Sequence, residues 1–270
     1  ETSIDQVVQM MVGRVIYEEP KTHSNVGADA PVILEAEHLV SDDVKDVSFQ
    51  LRKGEILGFA GLMGAGRTET ARAIYGADPI DSGEIYIRGQ KVTLGTPQKA
   101  VKAGICYLSE DRKRYGLMLD KSVAENTALA SLDSFISGGF IRDGKIVQAA
   151  EEYNAKLRTK TPSMQQKLRN LSGGNQQKVV IARWLLRDSD IFIFDEPTRG
   201  IDIGAKSEIY TLIEQLAADG KAIIVISSEL AERVCDRVIV MCEGRKTAEL
   251  DIGDATQEEI MKYATMREEI

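Results

Sequence analysis

An acidic pair and two glycine-rich turns carry the residues most able to do chemistry in this sequence. Ile191-Phe192-Ile193-Phe194 runs into Asp195-Glu196-Pro197-Thr198. Four apolar residues ending in two acids predict a buried parallel strand that delivers both carboxylates to its C-terminal edge, where open α/β sheets take ligands. Carboxylates placed there suit a metal ion and a water. Upstream, Leu171-Ser172-Gly173-Gly174-Asn175-Gln176-Gln177-Lys178 opens a helix whose first amides no Cβ shields, an arrangement that suits a phosphate. A third element, Gly61-Leu62-Met63-Gly64-Ala65-Gly66-Arg67-Thr68, follows the apolar run Glu55-Ile56-Leu57-Gly58-Phe59-Ala60. Its spacing is that of the phosphate-binding loop G-x-x-x-x-G-K-[ST], with Arg67 where the pattern has lysine.

These turns need strands behind them and helices after them. Val32–Ala36 and Val44–Leu51 have strand-like patterns around the acidic turn Ser41-Asp42-Asp43, and Glu84–Arg88 and Gly104–Leu108 read as further strands. A helix is expected from Thr68 to Tyr75, capped by Gly76, and another from Ile203 to Ala218. Lys221–Ile226 reads as a core strand bounded by Gly220, while Val238–Met241 and Lys246–Leu250 suit a hairpin around Glu243-Gly244-Arg245. Between Ser122 and Asn170 the pattern is helical. Glu1–Val15 could form a helix, and Pro20–Pro31 reads as a linker with nothing periodic to pack. Strands alternating with helices imply an α/β sheet.

A phosphate-binding loop, then Leu-Ser-Gly-Gly, then a strand ending Asp-Glu-Pro-Thr, in that order, resembles the ATP-binding-cassette (ABC) ATPases. The resemblance covers residues 32 to 265 and implies a P-loop NTPase core with an antiparallel β subdomain and a helical subdomain over residues 110–175. Residues 1–31 would then be the end of a preceding cassette and a linker, and residues 32–270 the ATP-binding domain.

The resemblance also implies ATP and Mg²⁺ as ligands. Gly61, Gly64, Ala65, Gly66 and Arg67 would cradle the phosphates, Thr68 and Asp195 would hold Mg²⁺, and Glu196 would orient or deprotonate the attacking water. Ser172, Gly173 and Gly174 match the signature, with Asn175 for the usual glutamine, and Asp202 matches the acidic position of the D-loop. Several positions depart from the family pattern. A guanidinium at Arg67 is planar and bulkier than the compact ammonium of lysine. Ser228 stands where the family places its H-loop histidine, and both histidines, His23 and His38, precede the phosphate loop. Glu110 stands where the Q-loop glutamine is expected, within Glu110-Asp111-Arg112-Lys113-Arg114. Val40-Ser41-Asp42-Asp43-Val44 supplies no aromatic to stack on adenine.

ABC ATPases pair head to tail, each nucleotide lying between one domain's phosphate loop and the other's signature. A damaged loop with an intact signature therefore resembles the C-terminal cassette of monosaccharide importers, built to complete its partner's ATP site. The implied partners are an N-terminal cassette of the same polypeptide, membrane permease subunits and, indirectly, a sugar-binding protein, at the cytoplasmic face of the membrane. The 42 Asp+Glu against 34 Lys+Arg disfavour a nucleic-acid surface. No apolar run is long enough to span a bilayer, no secretory signal opens the sequence, and Cys106, Cys235 and Cys242 lack zinc-ligand spacing and read as reduced core thiols. Three other readings stay open: an independently active homodimeric ATPase, a soluble ABC protein of translation or DNA repair, and a regulatory module without catalysis.

Overall fold

A computed structural model describes residues 21–24, 26–27, 29–227 and 234–266. The expected helix over Glu1–Val15 lies outside the described residues. In chain order the strands are β1 (Val32–Ser41), β2 (Val44–Arg52), β3 (Ile56–Gly61), β4 (Ser82–Ile87), β5 (Gln90–Val92), β6 (Ile105–Leu108), β7 (Ile136–Ser137), β8 (Phe140–Ile141), β9 (Ile191–Asp195), β10 (Ala222–Ile226), β11 (Arg237–Cys242) and β12 (Arg245–Asp251). The α-helices are α1 (Arg67–Tyr75), α2 (Pro97–Lys102), α3 (Val123–Ala128), α4 (Asp143–Lys156), α5 (Gly173–Leu186), α6 (Ile203–Ala218) and α7 (Gln257–Ala264).

The central sheet has the order β12-β11-β3-β10-β9-β6, parallel except for β12. Every residue of β9 and β10 is buried, as their uninterrupted apolar runs require when both sheet faces are covered. Because β3 and β9 flank β10, the loop after β3 and the acids ending β9 leave the same sheet edge about 10 Å apart. Helix α1 begins at Arg67, one residue before the expected start, and ends at a left-handed Gly76 as expected.

A four-stranded antiparallel sheet, β2-β1-β4-β5, covers one face. Its Leu34, Leu39, Val47 and Leu51 are fully buried against the central sheet, and Phe49 meets Phe59 of β3 edge-on at 5.2 Å. A separate small core of Ala124, Ala128, Phe135, Ile146 and Ala150 joins α3 to α4. This helical region also holds the hairpin β7–β8, which sequence patterning gave no sign of: its strands are two residues each, too short for a period to register. The buried Arg183 of α5 ties this region to the core, donating from Nε to Asn126 O at 2.8 Å and from Nη1 to Gly116 O at 2.6 Å.

Helix α3 starts with a capping box. The Ser122 side chain accepts from Glu125 N, and the Glu125 carboxylate accepts from Ser122 N at 2.8 Å. The Ser122 backbone hydrogen bond, then Lys121 and the Ser122 hydroxyl, hold the Glu125 carboxyl down at about 2. A depressed folded value stabilises above the unfolded value near 4.5, and the gain is lost as pH falls toward 2. Solvent screens most of that gain at a half-exposed carboxylate, leaving roughly the 1 kcal/mol of a cap. Glu125→Gln, which keeps the capping acceptor but loses the charge, should therefore cost up to about 1 kcal/mol at neutral pH, a cost that shrinks as pH falls through 2, read by urea denaturation across that range.

The expected linker is not free of packing. Lys21 Nζ lies 2.7 Å from Asp236 Oδ1, and Ser24 Oγ donates to the same oxygen at 2.9 Å. Two polar contacts to one buried carboxylate leave no periodic trace in a sequence. All three cysteines are buried and free.

Candidate functional site

The phosphate loop is shaped by glycines at positive φ: Gly61 at 147°, Gly64 at 77° and Gly66 at 93°. Gly66 caps α1, and a Cβ there would lie 2.8 Å from Gly244 Cα and 3.1 Å from Asp43 O. Only glycine lets the loop pass between the β1–β2 and β11–β12 turns. The first-turn N–H groups of α1 have no partner within the helix, which leaves them for an anion.

Thr68, on that first turn, donates its hydroxyl to Asp195 Oδ1 at 3.1 Å. Tyr107 of β6 donates to the other oxygen, Oδ2, at 2.5 Å. Asp195 is 1 % exposed, and burial raises its pKa against the pull of these two hydrogen bonds. Hard oxygen donors on Thr68 and Asp195, converging beside the loop, fit a Mg²⁺ ion that keeps most of its waters. Among the described residues no cluster of three acidic, histidine or cysteine side chains offers a fuller cage.

Glu196 turns away from its strand at φ 44°, with its N–H bonded to Ile226 O at 2.9 Å. A left-handed backbone at a glutamate costs about 1–3 kcal/mol and commonly marks a functional position. Its carboxylate lies 3.9 Å from Arg67 Nη1, a buried nitrogen without a hydrogen bond. The cation at the lysine position therefore faces a carboxylate.

Glycine loop, Thr68, Glu110, Glu196 and Ser227 line one cleft of about 1100 Å³. Its far wall is a face of α7, Gln257, Ile260, Met261 and Ala264, a helix without an expected role. No aromatic residue lines this cleft among the described residues. Glu110 forms an ion pair with Arg199, and Arg112 Nη1 donates to Arg199 O at 2.9 Å. Arg112 thus turns inward onto the turn after Glu196, while Lys113 stays exposed.

The signature lies elsewhere. Ser172 is exposed at the N-cap of α5, its Oγ accepting from Asn175 Nδ2 at 2.9 Å, and neither it nor Gly173 nor Gly174 lines the cleft. A Cβ on Gly173 would meet Arg112 Nη2 at 2.7 Å and Gly200 O at 3.1 Å, so this turn packs tightly on the segment following Glu196. Asp202 caps α6, accepting from Ala205 N at 3.0 Å. Ser228 lies outside the described residues. One chain thus brings together loop, hydroxyl and acids but holds its Ser-Gly-Gly apart from them. Sequence reasoning missed Tyr107, Arg199 and α7. For Tyr107 the sequence held no local signal, since its strand pairs with the strand carrying Asp195 only in the fold.

A family model described as ABC transporter matches residues 44–199. The chain belongs to the ABC transporter family. It is 56 % identical over 272 residues to a putative ribose/galactose/methyl galactoside import ATP-binding protein 2 of Burkholderia cenocepacia (strain HI2424), covering 99 % of this chain and 53 % of that protein. A putative ribose/galactose/methyl galactoside import ATP-binding protein of Halalkalibacterium halodurans is 50 % identical over 267 residues, covering 97 % of this chain and 50 % of the relative. The chain thus spans about half the length of the curated relatives it matches. A nucleotide-free ATP-binding cassette from an ABC transporter superposes with a TM-score of 0.73 at 22 % identity, over 87 % of this chain and 96 % of the other. The ATP-binding subunit of another ABC transporter gives 0.69 at 23 % identity, over 87 % and 100 %. Those solved structures bear out the ABC ATPase fold expected from the three motifs.

Proposed function

We propose that this chain is the ATP-binding, energy-coupling C-terminal half of a monosaccharide importer. Residues 1–31 would lead from a first cassette, and residues 32–270 would form the second. The observation that carries the reading is the separation of two half-sites: phosphate loop and acids share a cleft, while Ser172, Gly173 and Gly174 are not part of its lining. Relatives about twice as long, named as sugar import ATP-binding proteins, support a second cassette. Permease subunits and, through them, a sugar-binding protein would complete the assembly at the cytoplasmic face of the membrane. Among the described residues no helix is long and apolar enough to cross a membrane, so that attachment would be peripheral.

Within the cleft, Gly61, Gly64, Ala65 and Gly66 would present amides to the phosphates, and Thr68 and Asp195 would hold Mg²⁺, which offsets phosphate charge when bound. Glu196 would position water, but with Arg67 beside it the carboxylate has a competing cation. Glu110 adds a second acid near the phosphates, partnered by Arg199. Ser228 would leave no imidazole at the H-loop position. Ser172, Gly173 and Gly174 would serve the partner cassette's nucleotide.

The test is turnover. The chain alone is expected to hydrolyse ATP at least about 100-fold more slowly than the complete two-cassette protein, the size of effect seen on losing one preorganised donor. Comparable rates for the two would favour the independently active homodimer instead.

A further inference from the structure

Two side-chain hydroxyls, those of Thr68 and Tyr107, donate to the two oxygens of the buried Asp195 carboxylate, and the second has no part in the phosphate loop. In the parallel register, Tyr107 of β6 sits opposite Ile193 of β9. Asp195 is two residues further along, so both side chains leave the same face of the sheet, and the tyrosine is long enough to span the diagonal. Its hydroxyl reaches Asp195 Oδ2 at 2.5 Å. The ring is in turn stacked on Tyr75, with centroids 5.3 Å apart and planes at 26°.

Tyr75 and Thr68 are seven residues apart on α1, two turns along one helical face. The helix that gives Thr68 to Oδ1 therefore also backs the ring whose hydroxyl holds Oδ2. The end of this helix is itself pinned, by Arg72 donating to both oxygens of Asp78 at 2.6 and 2.7 Å.

We propose that Tyr107 is a positioning residue that fixes the plane of the Asp195 carboxylate and leaves Oδ1 alone to a divalent cation. The inference rests on the nucleotide-binding reading above. A terminal carboxylate torsion is broad and two-fold, so an unheld Asp195 could swing either oxygen forward or offer both. Mg²⁺ demands near-octahedral geometry, which a single well-aimed oxygen meets better than a bidentate pair. With Oδ2 occupied by a phenol, only Oδ1 and the Thr68 hydroxyl face the loop. Partners of this outer kind are typically worth about 10- to 100-fold in metal affinity.

Tyr107→Phe removes the hydroxyl and keeps the stacked ring. In the full chain, the affinity of a fluorescent ADP would be measured in EDTA and in Mg²⁺, and bound Mn²⁺ would be titrated by electron paramagnetic resonance. The expected result is about a 10- to 100-fold loss of metal affinity with ADP binding in EDTA unchanged. Unchanged metal affinity overturns the proposal, as does an equal loss in EDTA, which would assign the hydroxyl to the shape of the loop. Tyr75→Leu, which unseats the ring and spares the hydroxyl, is expected to lose metal affinity in the same direction, and no loss there also overturns it. If the unaltered chain gains nothing from metal, the nucleotide reading falls with the inference. If it gains and Tyr107→Phe gains equally, only the inference falls.

Discussion

Replacing Ser172 with arginine is expected, on the two-cassette reading proposed above, to remove at least about 100-fold of the ATPase rate of the complete protein, while Glu196→Gln spares most of it. The ranking inverts what a self-contained ATPase would show, where the acid after the core strand matters most. It follows from where the groups lie. Ser172 is exposed on a helix N-terminus and does not line this chain's own cleft, so on the proposed reading it serves a partner's nucleotide. Glu196 is inside the cleft and 3.9 Å from the Arg67 guanidinium. Turnover of both variants at matched folding checks the ranking, and a larger loss from Glu196→Gln would put the hydrolytic site in this half.

A second large effect separates two glycines of the phosphate loop. Gly64 and Gly66 both have positive φ, 77° and 93°. A Cβ on Gly64 meets nothing within 4 Å, so Gly64→Ala should cost only the left-handed backbone, about 1 kcal/mol. At Gly66 the added carbon would press on the backbone of Gly244 and Asp43, neither of which can rotate aside. Overpacking adds about 1–3 kcal/mol to the backbone term, and Gly66→Ala should cost about 2–4 kcal/mol in all. Midpoints of guanidinium denaturation would show the gap, and equal costs would mean that the turns around Gly244 and Asp43 yield freely.

The acidic strand, the glycine loop and the Ser-Gly-Gly turn were legible in the sequence because each is local: a burst of apolar residues, then a change of residue type. The same is true of α6, whose expected bounds Ile203 and Ala218 are those observed. What escaped notice is long-range. Tyr107 and Asp195 are 88 positions apart, Arg112 and Arg199 87, and Ser24 and Asp236 212. No window of ten or twenty residues contains both ends of such a contact, and each partner alone reads as an ordinary strand or loop residue. Arg112 and Lys113 are neighbours in one charged run, yet the first bonds backbone carbonyls and the second stays in solvent.

The grip of Lys21 and Ser24 on Asp236 ties the leading segment to the sheet edge opposite the phosphate loop. The other oxygen of Asp236 accepts the N–H of Ile56 at 2.9 Å, and Ile56 is the first residue of a six-residue strand that ends in Gly61. Between that anchor and the phosphate loop there is only this one strand, about 20 Å long and flanked by β11 and β10. Such a strand transmits a displacement instead of absorbing it, because close packing leaves it no room to buckle. Lys21 and Ser24 are therefore tied, through Asp236, to the first residue of the strand whose last residue opens the phosphate loop.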